Sequence, residues 1–211
     1  MRARESVAVL VAHPDDETLW AGGALLSETS WSPFVCCACR GHDADRAPKF
    51  YRVLERLRAQ GAMADLDDGP EQSPLADERV EQAFSAYLSN RHFDRVITHS
   101  PLGEYTRHLR HEEVARAVLR LWLRGAFSAA ELWLFAYDDD GGSRLPRAIA
   151  KADIVYELSD EVWRRKQQLI IEDYGFAELS WEARVTPRSE AFFRVTTAEH
   201  ARVWLDRPRS P

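Results

Sequence analysis

Along the chain, oily runs of strand length alternate with segments whose apolar residues recur every three or four positions. "SVAVLVA" (6–12) is a continuous valine-rich run, the pattern of a strand covered on both faces in a parallel sheet. It predicts a strand ending near His13. "DETLWAGGALLSETS" (16–30) then shows helical spacing, with Asp15 or Asp16 placed to cap the helix and Gly22 and Gly23 permitting close packing on the sheet. "FVCCACR" (34–40) reads as the next strand, and "APKFYRVLERLRAQGAMA" (47–64) as the next helix, ended by or just past Gly61. The polar, turn-rich "DLDDGPEQSPLADE" (65–78) reads as a loop, after which "DERVEQAFSAYLSNRH" (77–92) resumes helical spacing. "DRVITHS" (94–100) is a short strand rich in β-branched residues, and "HEEVARAVLRLWLRG" (111–125) a helix opened by acids and closed by arginines and Gly125, as the helix dipole favours. "AAELWLFAY" (129–137) and "DIVYEL" (153–158) are further strands. "SDEVWRRKQQLIIEDYG" (159–175) is a long amphipathic helix with Ser159 as its N-cap.

This alternation implies an α/β, Rossmann-like fold: an open, mostly parallel sheet with helices on both faces, in a single domain over 1–211. In such folds ligands gather at the carboxyl ends of the strands. Two strand ends here carry unusual chemistry, "HPDDE" and "THSPLGEYTRHLRHEE".

Composition narrows the partners. A net charge of −6 and the lack of a basic stripe argue against a nucleic-acid surface. The first apolar run is broken at His13, long before the about 20 residues a membrane span requires, and no other segment comes close. A small-molecule partner is the reading that remains, with oligomeric state unspecified. The three cysteines, Cys36, Cys37 and Cys39, are odd in number and crowd into one apolar run, which fits a reducing cytoplasm and a core strand better than a disulfide framework. Only Cys37 and Cys39 are expected to share a strand face.

Taken singly, each polar motif has a bland reading: a helix cap with favourable dipole charges for "HPDDE", a solvated helix start for "RHLRHEE". Together they suit a divalent ion, which at a catalytic site takes about three protein ligands and leaves a position for water. His13 and one of Asp15 and Asp16 can supply two ligands, and Pro14 holds His13 extended so that the side chains converge. The third then comes from another strand end, where His99, His108 and His111 are available.

"AHPDDE" followed by "TLWAGG", then "THSPLGEYTRHLRH", resembles the PIG-L/LmbE-like zinc-dependent N-deacetylases, and "RVLERLRAQGAMA", "RRKQQLIIEDYGF" and "EAFFRV" extend the resemblance over most of the chain. It implies zinc, or iron(II), held by His13, Asp16 and His111, with Asp15 as general base and acid toward a metal-activated water. His108 is then a cationic or hydrogen-bonding partner of the reacting carbonyl, with Tyr105 beside it, and Arg52 a substrate-binding residue for which Arg46 competes. The implied reaction removes an N-acetyl group from a small, amino-sugar-containing molecule such as an N-acetylglucosamine derivative. An amidase for larger N-acyl or thiol-conjugate substrates, or a non-catalytic sugar-binding protein that retains a metal, are the alternatives. The chain departs from the family where Thr106 and Arg107 separate Tyr105 from His108 and where Leu109 and Arg110 precede His111, so an acid that orients the nearby histidine is missing; Glu104 is its substitute or a loop acid. Glu17 reads as an orienting group or a helix-start charge, and Trp181 as a better sugar platform than Trp20, Trp122, Trp133 or Trp163.

Overall fold

The structure is a computed structural model that describes residues 4–105 and 108–207; Thr106 and Arg107 lie outside the described residues. In chain order the elements are β1 (Glu5–Val11), α1 (Asp16–Ser27), β2 (Trp31–Cys39), α2 (Arg46–Leu57), β3 (Gln60–Leu66), α3 (Asp77–Leu88), β4 (His92–Thr98), α4 (Leu109–Leu123), β5 (Ser128–Phe135), β6 (Tyr137–Asp138), β7 (Arg147–Ala148), β8 (Ile154–Glu157), α5 (Asp160–Gln168) continued by a π-helical turn (Leu169–Asp173), α6 (Trp181–Val185), β9 (Ser189–Val195) and α7 (Ala198–Leu205). The main sheet runs β3-β2-β1-β4-β5-β9-β8, parallel from β3 through β5, with β9 antiparallel to both its neighbours.

Strand β1 shows why the oily run folds this way. Val7, Val9 and Val11 enter one core with Leu19, Phe50, Leu54 and Ile170, whereas Ala8, Leu10 and Ala12 enter the other with Phe84, Val114 and Val118. Helices therefore cover both faces, and a period-2 strand buried on both sides has no polar position left. The strand order reverses at β1, which has β2 on one side and β4 on the other, so a crevice opens beyond Val11 and Thr98. No helix among the described residues is long and apolar enough to cross a membrane.

Three local expectations change. The helix expected over 47–64 ends at Leu57, where Arg58 turns left-handed (φ 55°) and its amide closes on Glu55 and Leu54; the chain then pairs beside β2 as β3. Cys37 and Cys39 face opposite cores, because a bulge between them shifts the register and sends Cys39 to the side of Cys36. The long helix over 159–175 is α-helical only to Gln168.

Helix α1 is fixed from the far end of the chain. The Glu190 carboxylate accepts from the Gly23 and Ala24 amides (2.7 and 2.8 Å) and from Lys166 Nζ (2.6 Å), and both charged residues are wholly buried. Gly23 is required here, since a Cβ would come within 2.4 Å of Leu158 and 3.0 Å of Glu190 Oε1. Lys166→Met leaves the carboxylate buried without its cation, which should destabilise the fold by about 3–5 kcal/mol in urea unfolding. A loss under 1 kcal/mol would show that the two amides alone suffice.

Candidate active site

Past Val11 the chain makes a tight turn rather than a capped helix start. Asp15 occupies the N-cap position at φ 129°, and its side chain makes no capping bond. Glu17 reaches back instead, accepting from the Asp15 amide (3.2 Å), while its other oxygen takes bonds from Thr18 Oγ1 and Tyr174 OH (2.5 and 2.7 Å). The expected cap is thus absent, and the Asp15 carboxyl is left turned to the crevice. Such a backbone costs about 1–3 kcal/mol and persists only where its surroundings enforce it.

Three atoms converge beside it. His13 Nδ1, Asp16 Oδ2 and His111 Nε2 form a triangle with edges of 3.2, 3.3 and 3.4 Å. Ligand atoms 2.0–2.1 Å from a tetrahedral ion stand about 3.3 Å apart, so the triangle has the size of one face of such a site. The tautomers agree with it. His13 Nε2 faces Asp68 Oδ1 at 3.0 Å and His111 Nδ1 faces Glu104 Oε2 at 2.7 Å. Carboxylates only accept, so each imidazole carries its proton outward and presents a lone pair inward, the carboxylate–histidine pairing of metal centres. Asp16 is oriented through its other oxygen by Trp20 Nε1 (3.1 Å).

Electrostatics hold the cluster together. Burial alone would raise the Asp16 carboxyl, but His111 and His99 hold it well below the usual carboxylate range. Burial opposes charge on His13 too, yet its bonds to Asp16 and Asp68 raise it to about 10, so a metal ion bound there would compete with a proton for the same lone pair. Glu104 is held down to about 2 by His99 and His111 against its burial. Asp15 shifts the other way: burial, then the neighbouring Asp16 charge, push its carboxyl well up. Burial, with His111 and His13 alongside, lowers His108 to about 3, so it stands as a neutral hydrogen-bonding group and not as a cation.

Among the candidate third histidines, His99 lies beneath the triangle, stacked on His111 at 4.0 Å, with its Nε2 engaged by the Ala12 amide at 3.0 Å. His108 stacks on the outer side of His111 at 4.4 Å, its buried Nδ1 without a hydrogen-bond partner among the described residues. Glu104 reaches His111, seven residues away, because Pro101, Leu102 and Gly103 form a turn in which Gly103 (φ 77°) bonds back to Ser100. Arg110 turns from the site to Glu113 and the Ser73 carbonyl, pinning the loop that carries Asp68.

Two recesses meet at His13 and Asp15. One, of about 280 Å³, is walled by Leu19, Tyr105, His108, Trp181 and Glu182, with Tyr105 and Trp181 rings 4.9 Å apart. The other, of about 160 Å³, is lined by Pro14, Arg40, Arg46 and Asp68. Arg52 lines neither; it is bonded to the Asp173 carbonyl at 2.6 Å and faces the Asp173 carboxylate at 3.5 Å. Asp68 and Arg40 were not among the sequence candidates. The signal that would have found Asp68 is its place just after a strand, and that strand reads in sequence as a helix tail.

No family model matches the sequence, and no curated protein matches it. Solved structures do. The N,N'-diacetylchitobiose deacetylase of Pyrococcus horikoshii has a TM-score of 0.68 at 15% identity, with 91% of this chain and 84% of that chain covered. The 4-carboxy-2-hydroxymuconate hydratase of Pseudomonas putida KT2440 has 0.64 at 16% identity, covering 92% and 97%. The A40926 pseudoaglycone deacetylase has 0.62 at 14% identity, covering 92% and 98%. The chain therefore shares the fold of these deacetylases, and a hydratase shares it as well.

Proposed function

We propose that this chain is a divalent-metal-dependent N-deacetylase of the PIG-L/LmbE type, acting on a small amino-sugar-containing amide. The observation that carries the reading is the triangle of His13 Nδ1, Asp16 Oδ2 and His111 Nε2, with the unengaged Asp15 carboxyl lining the same recess. His13, Asp16 and His111 would hold zinc, or iron(II) in its place. Bound there, the ion supplies Lewis acidity and an acidified water.

The remaining steps belong to the side chains. Asp15 accepts a proton from the attacking water and returns it to the departing amine, a task suited to a carboxyl raised by burial. Neutral His108 and the Tyr105 hydroxyl, which burial keeps protonated, donate hydrogen bonds to the amide oxygen as it gains charge, worth about 3 kcal/mol per well-aimed donor. Amide and water become a carboxylate and a free amine. The Tyr105 and Trp181 rings that wall the larger recess, tilted 60° to each other, support a sugar-bearing substrate, whose apolar ring faces stack on aromatics.

The test is an acetate- and amine-release screen over N-acetylated sugars and glycosylated metabolites, run before chelation, after it, and after reloading with zinc or iron(II). Turnover should disappear with the metal and return with it, at one ion per chain. A second reading follows from the hydratase of like fold: addition of water to an unsaturated acid. Loss of conjugated absorbance from such acids, with no amine release from any amide, would replace the first reading by the second. A panel of lengthening N-acyl groups separates deacetylase from amidase.

A further inference from the structure

The smaller recess holds a charge that the proposed hydrolysis does not use. Apart from Asp15, its other charged groups are engaged: Asp68 lies between His13 Nε2 (3.0 Å) and Arg40 (2.8 and 3.0 Å), and Arg40 also faces Asp43 at 3.5 Å. Arg46 is different. Among the described residues its guanidinium makes no hydrogen bond or ion pair; it stacks on the Phe176 ring, 4.5 Å from the guanidinium carbon, and its charge acts on the Asp15 carboxyl across the recess, favouring the ionised form. Stacking of that kind fixes the plane of the guanidinium and leaves its N–H edge open. Arg46 is also the first residue of α2, whose amide end adds positive potential; Asp43 caps that end through the Arg46 amide at 2.9 Å.

We infer that Arg46 anchors an anionic substituent, carboxylate or phosphate, carried by the substrate beside its N-acyl group. A half-buried, flat, unpaired guanidinium sharing a recess with Asp15 is built for a two-pronged contact with a planar or tetrahedral oxyanion. The substrate class narrows accordingly, from amino sugars in general to acidic ones. Specificity would then rest on Arg46, while Arg52 is tied to Asp173. That the ligand is a substrate rests on the proposed hydrolysis; the anion site itself does not.

Calorimetric titrations in an Asp15→Asn background separate the two ideas, using N-acetylglucosamine, N-acetylglucosamine 6-phosphate and N-acetylmuramic acid, with inorganic phosphate and acetate as free ions. One or both acidic sugars should bind at least tenfold more tightly than the neutral one, and the arms distinguish phosphate from carboxylate. Adding Arg46→Gln should bring the ratio within twofold without changing the neutral sugar's affinity, and Arg46→Lys should restore part of it. A ratio that Arg46→Gln leaves intact, equal binding of all three sugars, or binding of free ions alone would overturn the assignment. Tight, Arg46-dependent anion binding by a protein whose parent form releases no amine would instead refute the hydrolase and leave the anion site standing.

Discussion

Asp15→Asn should lower turnover by about 10²–10⁴-fold while leaving metal content and the melting temperature unchanged or slightly raised. The change removes one titratable oxygen and preserves shape. Nothing structural depends on that oxygen, because the Asp15 side chain caps no helix and its backbone is held by Glu17. Asparagine has the shape of aspartate, so the φ of 129°, which Glu17 holds through the Asp15 amide, is retained. Stability gains where a carboxyl that burial and Asp16 resist charging becomes a neutral amide. Metal content by elemental analysis, kcat on whichever amide is hydrolysed, and a thermal melt decide it. Activity within threefold of the parent would remove Asp15 from the proton transfers.

His111→Ala should abolish stoichiometric metal binding. It deletes one corner of the triangle and strands Glu104, a fully buried carboxylate held ionised partly by that imidazole. The metal affinity should fall by well over 100-fold, and the fold should weaken as well. Glu104→Gln separates the two effects: the imidazole stays, its orientation is loosened, and the affinity should drop by only about 10–100-fold. Full metal occupancy in His111→Ala would dismiss the ligand set, and an unchanged affinity in Glu104→Gln would dismiss the tautomer argument.

Much of this site is legible in the sequence because its first half is local. His13, Asp15 and Asp16 follow a strand whose unbroken apolar run leaves little choice of structure, and "THS" closes a second strand of the same kind. What lies hidden depends on contacts that no local pattern encodes. Strand β3 is an edge strand whose residues, "QGAMADL", suit a helix as well as a strand, so Asp68 looks like loop. The register shift at Cys37–Cys39, two steps on β2 against three on β3, accompanies the change of side of Cys39, and a bulge leaves no mark on hydrophobic spacing. Glu104 is ambiguous for the same reason, since only the turn at 100–103 shows that it reaches a histidine seven positions on. Arg52 and Arg46 lie less than two turns apart on one helix, and only the position of Asp173 tells which of them is tied down.

The link from Glu190 to α1 sets an order of events during synthesis. Every residue of the metal triangle lies within the first 111 positions, but the carboxylate that seats α1 on the Gly23 and Ala24 amides arrives 167 residues after Gly23. Under the proposed function, a nascent chain would expose these histidines and aspartates before α1 is seated, and an ion would meet the finished site only after β9 has joined the sheet.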